Sequence, residues 1–373
     1  MTPTTPTDSP LADLRDAIAE VDRALLELLR RRMELAGEVG RIKAELALPI
    51  VVRDVEDRVI ERARQNAAAC GVSETVMEAV FTAIIRGAVE RQHRVGIALR
   101  ERRGERVLIA GGAGGMGSWL RGFLELAGHA VEIADPALAG VPESPRRFAA
   151  LDGVEDLDAY AAIFVAVPLD RTAAVVADLV RRRPRGVVIE ITSIKAHLAP
   201  VLREARAAGV RALALHPMFG PSKSLYEPLT FVLATQRGAG IERRELEPLL
   251  AHPYTRIIAV PFDHHDRLMG WLLGLAHLTN ILFGSALTRS GIDPRQLHDC
   301  ASTTFTRQVA TALSVLSEDP DLYLDIQHLN PHRGEVYAAV RQALDTLESR
   351  VVARDRDGFR EVLSAARQAL APG

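Results

Sequence analysis

Arg106-Val107-Leu108-Ile109-Ala110-Gly111-Gly112-Ala113-Gly114-Gly115-Met116-Gly117 decides how most of this chain folds. Val107 to Ala110 carry no charge on either side, which predicts a strand buried on both faces. Gly112, Gly114 and Gly117 then fit G-x-G-x-x-G. The first glycine allows a tight turn, the second lets backbone approach a pyrophosphate, and the third packs the next helix closely on the strand. Ser118 to Leu126 reads as that helix, with its first amides facing phosphate. A second strand, Ala130 to Ala134, ends at Asp135, where a carboxylate holds a ribose 2′-hydroxyl and repels a 2′-phosphate. The series points to bound NAD rather than NADP, with Met116 inside the binding loop.

Strand-like runs recur at Ala162 to Val167, Gly186 to Ile191, Arg211 to Leu215 and Thr230 to Ala234, with helical segments between several of them. That alternation predicts a parallel, doubly wound (Rossmann-type) sheet. Ligands in such sheets bind beyond the carboxyl ends of the strands, so the residues there matter most. Val167-Pro168, Thr192-Ser193-Ile194-Lys195 and His216-Pro217 fall at those ends. Val167 and Pro168 are expected beside the cofactor. His216 is the candidate acid–base group, and Ser193 is its neighbour on the same edge.

After a strand at Arg256 to Val260 the pattern turns to helices alone. Phe262 to Arg289 carries His264, His265, Asp266, His277 and Asn280. Adjacent histidines point to different faces of a helix and no carboxylate completes a ligand set, so no metal is expected. Met269 to Leu287 holds no charged residue, which raises the membrane question. It contains His277, Thr279 and Asn280, however, and reads as a helix buried on all sides in a subunit interface. Asp319-Pro320 reads as a further helix start, and two closing helices follow from Arg333.

The chain begins differently. Ser9-Pro10 is a helix start, and Leu14, Ile18, Val21, Leu25, Leu28, Leu35, Val39 and Ile42 repeat in steps of four and three. This is one long helix with a heptad-like seam, interrupted by Arg32. A cation on a buried seam calls for an anion. Lys43, three turns on, shares the face of Arg32. Arg15 lies roughly 25 Å away along the helix and about 100° off that face, so it joins such a site only from a second subunit. Two more helices are expected, at Arg53 to Asn66 and Ser73 to Arg94, separated by Gly71.

The 373 residues suffice for two or three domains, and a net charge of −2 gives no footprint for nucleic acid. Cys70 and Cys300 match no metal spacing and fit a reducing, cytoplasmic setting. The start shows no basic segment followed by an apolar run, so no signal peptide is expected.

Arg15, Arg32, Lys43, Pro49, Glu56 and Gln92, at this spacing over residues 11 to 94, resemble the all-helical chorismate mutases. That resemblance implies an intertwined dimer. Arg15 (from the partner subunit) and Arg32 would meet the substrate carboxylates, Lys43 and Gln92 the ether oxygen, and Glu56 the hydroxyl. Val52 and Val55 stand where that family places an aspartate and an arginine. From the glycine loop to about Leu329, Thr192-Ser193-Ile194-Lys195 and His216-Pro217-Met218-Phe219-Gly220-Pro221 resemble prephenate dehydrogenase. Together the two parts resemble the bifunctional chorismate mutase/prephenate dehydrogenase (T-protein) family of tyrosine biosynthesis. The resemblance implies that His277 and Asn280 lie near the substrate, and that Arg307 in Phe305-Thr306-Arg307 grips a carboxylate, a task suited to a planar bidentate donor. It also implies a homodimer and feedback inhibition by tyrosine. The expected divisions are a mutase domain at 1–94, a linker at 95–105, an NAD-binding Rossmann domain at 106–260 and a helical substrate and dimerisation domain at 261–373. Two alternatives stand beside this reading: a preference for arogenate over prephenate, and a helical N-terminal domain that only dimerises or regulates.

Overall fold

The computed structural model describes residues 10–46, 48, 53–98, 104–140, 147–252 and 255–371. Ser9, Pro49, Val52 and residues 99–103 of the expected linker lie outside these. The N-terminal helices are α1 (Pro10–Glu45), α2 (Arg53–Ala67) and α3 (Glu74–Ala98). Gly71 turns the chain at φ +65, and the Ser73 hydroxyl accepts from the Val76 amide at 3.2 Å to cap α3. The helix α3 runs past residue 94, so the first part of the expected linker is helical.

The apolar seam of α1 is not what joins these helices. Leu14, Ile18, Val21, Leu25, Leu28, Leu35, Val39 and Ile42 all remain exposed, from 42% to 64%. A different face, through buried Ala36, Gly37 and Gly40, packs on α3. The absence of a side chain at residue 40 sets the spacing, since a β-carbon there would lie 2.6 Å from the Cα of Gln92.

The central region alternates strand and helix: β1 (Arg106–Ala110), α4 (Gly115–Leu126), β2 (Ala130–Ala134), β3 (Arg147–Phe148), β4 (Ala162–Val165), α5 (Leu169–Arg182), β5 (Val187–Glu190), α6 (Ala199–Ala207), β6 (Ala212–Pro217), β7 (Leu229–Thr235), α7 (Ala239–Leu246) and β8 (Thr255–Pro261). The sheet order is β3-β2-β1-β4-β5-β6-β7-β8. Every pairing is parallel except one: β7 runs antiparallel to β6, with His216 opposite Val232. The expectation of a wholly parallel sheet therefore fails there. No helix crosses between Pro217 and Leu229, and without a crossover the chain returns antiparallel.

Period-two alternation divides the strand side chains between two cores. Val107, Ile109, Ile133, Phe164, Ile189 and Phe231 pack with Trp119 and Phe123 of α4. Leu108, Ile163, Val165 and Val188 pack on the other face with Val176 and Leu179 of α5 and Leu202 of α6.

The remaining helices are α8 (Phe262–Met269), a π-helical turn (Gly270–Gly274), α9 (Leu275–Thr288), α10 (Pro294–Asp299), α11 (Thr303–Leu316), α12 (Pro320–Leu329), α13 (Arg333–Val352) and α14 (Arg356–Leu370). The Asp319 carboxylate accepts from the Asp321 amide at 3.0 Å, capping α12 as its sequence suggests. The apolar run Phe262–Thr288 is long enough to cross a membrane by length and composition. Within one chain it is not buried on all sides, as Trp271, Leu272 and Leu282 are 40–50% exposed. Its start, however, is anchored to the sheet edge by buried polar residues described below. A π-helical turn there shifts the phase of the side chains, so one apolar stripe cannot continue along the whole segment.

Candidate active sites

The glycine loop sits where strand order reverses, between β1 and β4. Gly111 has φ +82, and a β-carbon there would lie 2.4 Å from the carbonyl oxygen of Ala166. At Gly112 a β-carbon would lie 2.4 Å from the Ile133 side chain, and at Gly117 it would lie 2.0 Å from the Gly111 carbonyl oxygen. Those positions hold the turn against β2, the residues that directly follow β4, and α4. Gly114, the N-cap of α4, is exposed, and a β-carbon there would meet only the Gly111 carbonyl oxygen, at an ordinary 3.5 Å. This cradle of backbone at a helix start fits a dinucleotide pyrophosphate. Asp135 at the end of β2 accepts from the Ala113 amide at 3.0 Å and the Ala137 amide at 2.9 Å. Its carboxylate thus faces the loop from the strand end expected for a ribose contact. Met116 packs partly into the core beneath, Val167 packs on the opposite core, and Pro168 caps α5. Gly111 is the loop residue the sequence motif missed; its place at the end of an apolar run, one residue ahead of the motif, was the available signal.

His216 lies at the carboxyl end of β6 and is 3% exposed. Its Nδ1 is 3.2 Å from Nε2 of His265 on α8. His265 Nδ1 is in turn 2.7 Å from Oδ1 of Asp266. Asp266 also accepts from the amides of Lys195, at 2.8 Å, and Ala196, at 2.6 Å. The Lys195 ammonium, wholly buried, donates to Glu190 at 2.6 Å and to the Leu215 carbonyl at 2.9 Å. Thr192 Oγ1 and its amide meet the other Glu190 oxygen. Burial, then the nearby Lys195 and His265, hold the His216 imidazole well below its ordinary range, so it is neutral at pH 7. Burial would push the Asp266 carboxyl up, but hydrogen bonds from His265 and the amides of Lys195 and Ala196 outweigh it and hold the group ionised. Ser193 is half-buried on this edge, next to Thr192.

The other expected substrate residues are more dispersed. His277 stacks on Tyr323 with ring centroids 4.2 Å apart, and burial lowers its affinity for a proton. Asn280 is buried on α9 and accepts from Gln308 of α11 at 3.1 Å. Arg307, one residue before Gln308, is exposed and meets no carboxylate among the described residues.

In the helical N-terminal unit, Arg32 is half-buried and donates to the Ile84 carbonyl at 3.3 Å. Burial works against the charge of Lys43, offset in part by the Glu56 carboxylate. Gln92 keeps its Oε1 buried without a hydrogen bond. A buried acceptor left unmet, in a unit that also holds two partly desolvated cations, is a place for a polar ligand. Arg15 is exposed on the far half of α1. Val55 is exposed and Glu56 half-buried, one residue apart.

The two units touch. The Arg94 guanidinium of α3 lies over the Tyr226 ring at 5.2 Å, and Arg86 acts electrostatically on Glu227. Both targets belong to the segment between β6 and β7, which also accepts a 2.7 Å bond from the Trp119 indole at the Lys223 carbonyl.

Three family models match successive parts of the chain. Chorismate mutase type II covers residues 14–93, the prephenate dehydrogenase nucleotide-binding domain 146–244, and the prephenate dehydrogenase dimerization domain 261–365. The 4-amino-4-deoxyprephenate dehydrogenase of Streptomyces pristinaespiralis is 30% identical over 71% of this chain and 91% of its own. The chain belongs to the prephenate dehydrogenase family. The T-protein of Enterobacter agglomerans, 28% identical over 85% of this chain and 81% of its own, extends the likeness across the mutase unit. Prephenate dehydrogenase from A. aeolicus, solved with hydroxyphenyl propionate and NAD+, has the same fold, with a TM-score of 0.59 at 17% identity over 72% of this chain and 98% of that one. This member is a bifunctional enzyme of tyrosine biosynthesis, a chorismate mutase and an NAD-dependent prephenate dehydrogenase. The mutase match does not favour a purely regulatory N-terminal unit.

Proposed function

We propose that the N-terminal unit rearranges chorismate to prephenate through Arg32, Lys43, Glu56 and Gln92, with Arg15 of the partner subunit completing the site. The rearrangement moves no proton, so cations that hold the reactive conformer and meet charge on the breaking ether oxygen suffice. The unmet Oε1 of Gln92, and the partial desolvation of Lys43 and Arg32, support this assignment. The exposed seam of α1 supports a homodimer, since eight apolar side chains at helical spacing call for a covering surface.

In the second site His216 is the base. NAD bound at Gly112, Gly114, Met116, Gly117, Asp135, Val167 and Pro168 supplies the acceptor for the hydride leaving the ring carbon that bears the hydroxyl. His216 accepts the hydrogen bond of that hydroxyl, a bond that strengthens as carbonyl character develops there. Ser193 orients the hydroxyl, Arg307 holds a carboxylate, and His277 and Asn280 border the ring. Cleavage of the bond to the ring carboxylate releases CO2 and leaves 4-hydroxyphenylpyruvate. The observation that carries this reading is the neutral, buried His216 on the cofactor edge of the sheet. We also infer a cytoplasmic protein that tyrosine inhibits, a reading supported by the family relationship alone; added tyrosine should slow NADH formation.

The experiment is NADH absorbance on mixing the purified protein with chorismate and NAD+ and no other enzyme. Signal supports both sites, because chorismate must rearrange before it yields a hydride. Silence with chorismate but signal with prephenate removes the mutase reading. Signal with arogenate alone moves the substrate assignment.

A further inference from the structure

The polar chain behind His216 has only one consistent arrangement of protons. Asp266, held ionised, is an acceptor toward every neighbour, so His265 must present N–H from Nδ1 across the 2.7 Å contact. Burial outweighs the Asp266 hydrogen bond and holds the His265 imidazole below its ordinary range, so it is neutral and has a lone pair on Nε2. The 3.2 Å contact to His216 can be a hydrogen bond only if His216 donates from Nδ1. A neutral imidazole with its proton on Nδ1 carries its lone pair on Nε2, and no protein group among the described residues bonds that nitrogen.

We propose that Asp266, acting through His265, fixes His216 in the tautomer whose Nε2 is free to accept a proton. This rests on the reading of His216 as the base and adds two positioning residues from a different element. The same chain stabilises the imidazolium: when Nε2 takes the hydroxyl proton, the positive ring already donates to His265, whose far nitrogen meets a carboxylate. Lys195 holds both ends in place. Its amide bonds Asp266, and its ammonium bonds the carbonyl of Leu215, the residue before His216.

Asp266→Asn is the discriminating variant. Its amide oxygen is retained by the Lys195 and Ala196 amides, which leaves the NH2 to donate to His265 Nδ1. That inverts His265, which then donates from Nε2, and His216 is left protonated on Nε2. In 15N-histidine spectra of the full-length protein, with His216→Asn identifying the resonance, the native enzyme should show an unprotonated Nε2 on His216. Asp266→Asn should shift it to the Nε2–H form and lower kcat for prephenate by at least about 100-fold, the scale of an acid–base contribution, with NAD affinity unchanged. Should Asp266→Asn fold poorly, His265→Gln keeps a donor and an acceptor and should retain the native tautomer, whereas His265→Leu should give a mixture. A native His216 protonated on Nε2, or a tautomer indifferent to both positions, overturns the proposal. A tautomer that behaves as described while His216→Asn keeps full kcat would instead overturn His216 as the base.

Discussion

Lys195 and Glu190 form an ion pair 2.6 Å long in which neither side chain reaches solvent. Removing one partner of such a pair leaves a buried charge alone, which costs about 3–5 kcal/mol, while replacing both with apolar groups costs far less. Lys195→Met should therefore destabilise the sheet domain by that amount in urea unfolding. Adding Glu190→Leu should restore part of the loss. A double variant no more stable than the single would show that the ammonium matters for its bond to Leu215 rather than for its charge.

Gly40 should be indispensable to the mutase alone. A side chain there meets the backbone of Gln92 at 2.6 Å, so α1 and α3 must separate where Gln92 faces the site. Gly40→Val should lower kcat/KM for chorismate at least about tenfold, since positional errors near 1 Å carry losses of that order or more. Oxidation of added prephenate should be unaltered, and the two rates measured side by side check both halves of the claim.

For the dehydrogenase, His216→Asn should lower kcat far more than it raises KM, because the bond it removes strengthens in the transition state. Arg307→Ala should mainly raise KM for prephenate. The pH profile has a definite sign. A base works unprotonated, and burial with Lys195 and His265 lowers the affinity of His216 for a proton. Activity should persist below pH 6.5 and fall only on further acidification. An acid limb centred above pH 6.5 would contradict this environment.

Cofactor choice should follow Asp135. Its carboxylate faces the Ala113 amide and would oppose a 2′-phosphate. Asp135→Ser should weaken NAD and strengthen NADP binding, read as a shift in the ratio of their dissociation constants by fluorescence titration.

The glycine loop was legible because its spacing is read off one strand–turn–helix, and at Gly117 the close approach is to Gly111 in the same turn. His216 was legible because it ends an apolar run on a known edge. His265 and Asp266 were seen and set aside, because nothing in the sequence says that the α8 start returns to β6. The direction of β7 was hidden for a similar reason, since alternation marks a strand but carries no polarity. The α1 seam announced an apolar face without saying that Gly37 and Gly40, on another face, make the contact within the chain.

Arg94 over Tyr226 and Arg86 near Glu227 join the two catalytic units through exposed guanidinium groups on half-buried partners. An exposed cation over a ring is worth on the order of 0.5–1 kcal/mol, so such a contact transmits about a fivefold change in affinity at most. Whatever passes through it must also pass both ways: the factor by which NAD alters the affinity of a ligand for the mutase site equals the factor by which that ligand alters the affinity for NAD. A chain built this way ties the amounts of two enzymes together while leaving each nearly free to set its own occupancy.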